Sequence, residues 1–161
     1  MPGMLDASAG HFPQVDKPTS LITVLGFDYG ARRIGVAIGN RLSGARALEV
    51  VGNSAQGPDF ARIGALVREW RPHALLVGLP LTMSGEEQRN SQAARAFAAE
   101  LAQRYGMPAH LVDERLSSRE AAQRFAARRA SGQAKRKHAA DLDAVAAEII
   151  IENWLTHFAD G

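Results

Sequence analysis

The sequence predicts an α/β fold: a mixed five-stranded sheet, made of a three-strand antiparallel meander followed by alternating helices and strands, with helices on its faces. Three observations predict it. Apolar, β-branched runs broken by Gly-rich turns fill residues 21–51. Beyond Phe60 the apolar period lengthens to helical spacing. Residues 74–79 (Ala-Leu-Leu-Val-Gly-Leu) then form a short continuous apolar run, as a buried central strand does.

The elements follow in order. Residues 1–20 mix His11, Pro13, Asp16, Lys17 and Pro18 without an apolar run, so they read as a disordered N-terminal tail and not as a signal peptide. Residues 21–27 make the first strand and 34–38 its hairpin partner, across the turn from Gly30 to Arg33. Gly35, inside the second strand, predicts close approach by a neighbouring backbone. A third strand is expected at residues 47–51. Phe60, Ile63, Leu66, Val67 and Trp70 then recur at helical spacing, and Pro72 ends that helix. After the central strand, Ser84 and Glu87 have capping-box spacing and predict a helix that carries Ala93, Phe97, Leu101 and Tyr105 on one stripe. Residues 109–112 give the last strand. A basic helix capped by Ser117 or Ser118, a flexible loop over residues 131–138, and a final helix from about Asp141 to His157 complete the chain. Residues 21–161 are expected to form one domain.

Composition limits the chemistry. With 161 residues, 46% of them hydrophobic, the chain is long enough to bury a core, and with no cysteine it has neither disulfides nor thiolate metal sites. No stretch approaches the roughly 20 apolar residues a membrane helix needs, so a cytoplasmic protein without membrane contact is expected. Formal net charge is only +2, but 8 of the 19 basic residues lie between Arg115 and Lys137, opposed by Glu120 alone. That clustering fits the electrostatic footprint of a phosphate backbone. The histidines lack metal-ligand spacing and read as surface or loop residues. No P-loop lysine motif and no nucleophile elbow is present, and Trp70 and Trp154 sit on the apolar stripes of helices.

Metal-assisted phosphodiester hydrolysis needs oxygen ligands converging on one point from rigid elements, since hard divalent cations prefer oxygen. Asp28 closes the first strand and Glu114 the last, both at strand C-terminal ends, where ligands gather in open α/β sheets. The final helix offers Asp141 or Asp143. Asp141 shares a face with Val145, Glu148 and Glu152, which reads as solvated, and is better explained as a cap. Asp143 shares one with Ala146, Ala147, Ile150 and Trp154, which reads as buried, and the alanines would let that face approach the sheet. Asp28, Glu114 and Asp143 are therefore the expected catalytic and metal-binding set.

Four segments extend this reading: Leu25-Gly26-Phe27-Asp28-Tyr29-Gly30 with Arg33-Ile34-Gly35-Val36-Ala37, Val77-Gly78-Leu79-Pro80-Leu81, Asp113-Glu114-Arg115-Leu116-Ser117-Ser118, and Asp143 with Ala146-Ala147. In order and spacing they resemble the YqgF (RuvX) family. The resemblance implies an RNase H-like fold related to Holliday junction resolvases, and a nuclease that matures the 5′ end of pre-16S ribosomal RNA. It implies Mg²⁺ or Mn²⁺ on Asp28, Glu114 and Asp143, phosphate contacts from Arg33 and Arg115, and support of the acidic cluster by Ser117. Ala31, where the family often has a small hydroxyl residue, and Gly39-Asn40, where it often has Ser-Asp, depart from the pattern. The expected nucleic-acid contacts are Arg33, Arg115, Arg119, Lys135, Arg136 and Lys137, with structured RNA or branched DNA as partner and a salt-sensitive affinity.

Three other readings stand beside this one. A Holliday junction resolvase-type DNA endonuclease would use the same carboxylates, and its crossed-over substrate would favour a dimer where RNA-end processing needs only a monomer. A non-catalytic nucleic-acid-binding factor would keep the fold without turnover. An actin-like ATPase also starts with a strand and an Asp-x-Gly turn, but it normally needs two such domains and a second Gly-rich nucleotide loop.

Overall fold

The computed structural model describes residues 22–81, 84–86, 89–114, 123, 127 and 138–158. Strands β1 (Val24–Tyr29), β2 (Arg33–Asn40), β3 (Gly44–Ser54) and β4 (Gly57–Pro58) come first. Helix α1 (Phe60–Trp70), strand β5 (Ala74–Leu79), helix α2 (Arg89–Tyr105), strand β6 (Ala109–Asp113) and helix α3 (His138–Phe158) follow. The sheet order is β4-β3-β2-β1-β5-β6. β1 to β4 pair antiparallel, whereas β5 runs parallel to both β1 and β6.

The mixed sheet is as expected, with one more strand than the sequence suggested. Gly57 and Pro58 pair with Ser54 and Asn53, and Pro58, which has no N–H, sits on an edge where none is needed. β3 is also longer than its apolar centre, because polar residues continue the ladder as far as Ser54. At the head of α2, Gly85 has φ 91°, which no first helical turn accommodates. Ser84 is therefore not the N-cap expected there, and Glu87 lies outside the described residues. Asp59 caps α1, accepting from the Arg62 N–H at 3.1 Å. Arg71 closes it in the left-handed conformation (φ 48°), donating to the Val67 carbonyl.

Alternation along the strands sorts side chains onto two faces. Leu25, Phe27, Ile34, Val36, Leu75 and Val77 point into a core shared with Ile63, Leu66, Phe97 and Leu101 of α1 and α2. Val24, Ala37, Leu76 and Val112 point the other way, onto Ala147, Ile150, Ile151 and Trp154 of α3. Trp154 is thus a core residue, as its helical stripe suggested. His110 is not the surface histidine expected: it stands in β6 with its ring stacked on Trp154, 6.2 Å between centroids. Burial lowers its pKa, and its Nε2 has no hydrogen-bond partner among the described residues.

α3 departs most from expectation. It begins at His138, three residues before the position at which Asp141 was expected to cap it. The face read as solvated is covered, since Val145 is 0% and Glu148 7% exposed. Residues 144–151 are Ala-Val-Ala-Ala-Glu-Ile-Ile-Ile, apolar on every side except Glu148, and a helix apolar all round belongs in an interior. No described helix is long and apolar enough to cross a membrane.

Candidate active site

The site forms where three elements end on the α3 face of the sheet. Asp28 lies inside β1, paired with Gly35 of β2, and not in the turn beyond it. Its neighbours Phe27 and Tyr29 belong to the opposite core, so Asp28 faces α3. In β6, Val112 pairs with Gly78 and packs against α3. Glu114, two residues on, shares that face, and its N–H continues the ladder by donating to the Leu79 carbonyl at 3.0 Å.

Missing side chains make room for this convergence. A Cβ at Gly78 would stand 3.0 Å from the Glu114 carboxyl carbon and 2.6 Å from Ile150. The Glu114 side chain therefore lies across the strand between β6 and β1. A Cβ at Gly35 would collide with the Asp143 carbonyl, so α3 presses its backbone directly on β2 and carries Asp143 to the same end of the sheet. The close approach predicted for Gly35 is that of α3. Gly26 and Gly39 receive Ile151 in the same way.

The three carboxylates form a graded cluster. Asp28 and Glu114 are joined by a side-chain hydrogen bond. Burial, the hydrogen bond to Asp28 and the charges of Asp28 and Asp113 together push the Glu114 pKa up to about 9. Burial also raises Asp28, with a smaller contribution from the charge of Asp143, while the hydrogen bond from Glu114 opposes the shift. Glu114 is thus the donor of the shared hydrogen bond and Asp28 its acceptor. Asp143 is near enough for its charge to act on Asp28, but it is ion-paired to Arg33, Nε to Oδ2 at 2.7 Å. Arg33 is the expected phosphate-contacting residue that the described part of the chain includes. Arg115, Arg119, Lys135, Arg136, Lys137 and Ser117 lie outside the described residues.

Among the described residues, no three acidic or histidine side chains stand together in a metal-coordinating arrangement. The donor set nonetheless suits a hard divalent cation. It is made only of carboxylate oxygens, and two of them are buried and held together by a proton that a cation would replace.

Comparison with known proteins shows the family. A family model described as RuvX, Holliday junction resolvase, matches residues 22–157. The chain belongs to the RuvX family. A relative from Xanthomonas campestris pv. campestris (strain 8004) is 53% identical over 135 residues, covering 83% of this chain and 87% of its own length. One from Xanthomonas axonopodis pv. citri is 52% identical over 134 residues, covering 83% and 86%. Both bear the name "Putative pre-16S rRNA nuclease". Among solved structures, Thermus thermophilus RuvC bound to a Holliday junction substrate superposes with a TM-score of 0.50 at 20% identity, covering 84% of this chain and 95% of that one. RuvC from the same organism without a stated substrate gives 0.50 at 21% identity, covering 83% and 95%. These superpositions show that this RuvX chain has the RNase H-like fold of the resolvases.

Sequence reasoning missed the opposite side of the same strand end. There, Tyr29, Gly30, Asn53, Arg89, Asn90 and Ala93 line a cavity of about 490 Å³. The Asn53 side-chain amide donates to the Gly30 carbonyl at 2.7 Å, tying the end of β3 to the end of β1. The legible signal was a pair of asparagines, Asn53 after Gly52 near the end of β3 and Asn90 in the first turn of α2.

Proposed function

We propose that this RuvX chain is a divalent-metal-dependent nuclease that cuts structured RNA in the cytoplasm, processing the 5′ end of pre-16S ribosomal RNA. The observation that carries this reading is the buried, proton-linked pair of Asp28 and Glu114, with Asp143 beside it on a different element. A fold gains nothing by burying two hydrogen-bonded carboxyls next to a third. Perturbed carboxyls converging at strand ends are what metal-ion chemistry on phosphate esters needs. The name borne by relatives more than half identical supports the RNA substrate. The resolvase description of the family favours branched DNA as the second reading.

Asp28, Glu114 and Asp143 would hold Mg²⁺ or Mn²⁺. When bound, the ion supplies Lewis acidity, making water a better nucleophile and neutralising charge on the leaving oxygen. The protein's own groups do the rest. Glu114 would release its proton to solvent on metal binding, leaving both buried carboxylates available to hold the ion. The sheet and α3 fix their directions, so no side chain has to be reorganised beyond Arg33. Arg33 exchanges Asp143 for a substrate phosphate, a group its planar fork matches equally well. That exchange couples substrate arrival to completion of the acidic set.

The test incubates pure protein with structured RNA, a four-way DNA junction and single-stranded DNA in Mg²⁺ or Mn²⁺, alongside Asp28→Asn. Metal-dependent RNA cleavage that falls at least ~100-fold in Asp28→Asn is expected, as for loss of a group acting on the transition state. Cleavage that survives Asp28→Asn would sink the mechanism. Junction cutting without RNA cutting selects the second reading, and tight binding without cleavage of any substrate selects a binding factor.

A further inference from the structure

We propose that the cavity on the far face of the β1 end is a subsite for an unpaired nucleotide flanking the scissile phosphate. It takes the base against Tyr29 and the adjoining phosphate beside Arg89. This rests on the nuclease reading for the adjacent carboxylates and adds to it a requirement for unpaired substrate.

Position comes first. Tyr29 lines the cavity and Asp28 faces the carboxylate cluster, and the two are consecutive residues of one strand. Successive strand side chains point to opposite faces. A nucleic-acid backbone with one phosphate at Asp28 therefore passes the end of β1 at Gly30 to reach the cavity with its next nucleotide. A base that turns this corner has left the stack of its neighbours. Extrusion from a duplex costs a few kcal/mol, and least where the base is already unpaired.

The lining fits that occupant. About 490 Å³ is within the range of small-ligand sites. The Tyr29 ring is braced by Phe97, with centroids 4.8 Å apart, and Ala93 one turn into α2 leaves space. Stacking on an aromatic tolerates any base. Asn53 commits its amide N–H to Gly30, which leaves its carbonyl oxygen as an acceptor, and exposed Asn90 offers both a donor and acceptors. Exposed Arg89 supplies the cation at the rim. An arrangement of one aromatic wall, amides and one cation suits a nucleotide better than a purely anionic or purely apolar ligand.

The experiment uses the full chain carrying Asp28→Asn, so that binding is read without turnover. The probes are a fluorescent single-stranded oligoribonucleotide and the same strand in a blunt duplex. Ala93→Trp, which fills the cavity, and Arg89→Ala, at its rim, are compared with the Asp28→Asn parent, with melting temperatures recorded. Both should weaken single-strand binding, Ala93→Trp by about tenfold, within the ~1–3 kcal/mol that one stacked base contributes, while duplex affinity changes less than about twofold. In the cleaving protein, the same substitutions should slow cutting beside an unpaired stretch more than cutting within a duplex. Equal losses on both probes, or none, overturn the subsite. If Ala93→Trp lowers the melting temperature sharply, Arg89→Ala and Asn90→Ala decide by the same comparison. Cleavage that is intact and indifferent to these substitutions overturns the subsite alone, whereas pocket-dependent single-strand binding without any cleavage supports the subsite and overturns the nuclease reading.

Discussion

Glu114→Gln should make the metal-free protein more stable while destroying its activity. The Glu114 carboxyl has an ordinary pKa of 4.5 when the chain is unfolded and about 9 in the folded protein. Between those values the folded state holds a proton that the unfolded state has released, so stability falls as pH rises. The loss begins near pH 4.5 and is complete near pH 9. Its slope is at most about 1.4 kcal/mol per pH unit, so at pH 7 the site costs up to ~3 kcal/mol. Glutamine carries no titrating proton and can still donate an N–H to Asp28, so it keeps the hydrogen bond and removes the penalty. For a domain of this size each kcal/mol corresponds to roughly 2–4 °C. The variant should therefore melt as much as ~6–12 °C above the parent at pH 7 in chelator, with the gap closing towards pH 4.5. Excess Mn²⁺ should narrow the gap from the other side, because it stabilises the parent by mass action and the variant much less. Thermal unfolding followed by circular dichroism across pH, with and without metal, reads all of this. A gap that is independent of pH, or a variant less stable than the parent at pH 7, would refute the view that the pair is strained without its cation.

Three further outcomes follow from the same geometry. Gly35→Ala inserts a methyl group against the Asp143 carbonyl; it should cost about 1–3 kcal/mol as an overpacking change and lower cleavage through displacement of Asp143, measured by urea denaturation and by rates at saturating metal. Phe97→Ala removes the ring shared by Phe27, Tyr29 and Phe60 and should destabilise by roughly 3–5 kcal/mol, checked by the same denaturation midpoint. Replacing Lys135, Arg136 and Lys137 together by alanine should weaken nucleic-acid binding and reduce the dependence of log affinity on log salt by up to about three contacts' worth; an unchanged slope would show that this run does not meet the phosphates.

How much of this could be read from the sequence depended on how local each signal was. The strands along the chain, and the positions of Asp28 and Glu114 at their ends, followed from apolar runs ending in acids, a pattern contained within a few residues. Asp143 followed from helical periodicity plus two alanines, because small residues at the right spacing announce a close helix–sheet contact whatever they contact. The failures came where burial, backbone conformation or a distant partner decides. Val145 and Glu148 were assigned to solvent on the assumption that α3 has one buried face, although the run of isoleucines around them already argued against it. Ser84 had the spacing of a cap but not the backbone, since Gly85 takes a left-handed conformation that spacing cannot reveal. His110 reads as an isolated polar residue until Trp154, forty-four positions later, comes to stack on it.

The glycines connect the legible part to the illegible part. In the sequence, Gly35 and Gly78 are interruptions in good strands, each weakening its own element. In the fold they occupy the α3 face of β2 and β5, the strands that flank β1, and that is where Asp143 and Glu114 come to rest. A side chain at Gly35 would lift α3 and take Asp143 away from Asp28. One at Gly78 would push Glu114 out of reach of Asp28. The sheet therefore gives up packing and strand propensity at the places where an acid must lie flat against it. The pairing of each glycine with one carboxylate holds Glu114, one residue past β6, and Asp143, on α3, against strands whose directions are rigid. Asp28 needs no such accommodation because it grows from the floor itself. The acidic cluster is thus one residue of the sheet with two visitors laid over its gaps, and the proton between Asp28 and Glu114 is the consequence of how closely those gaps allow them to approach.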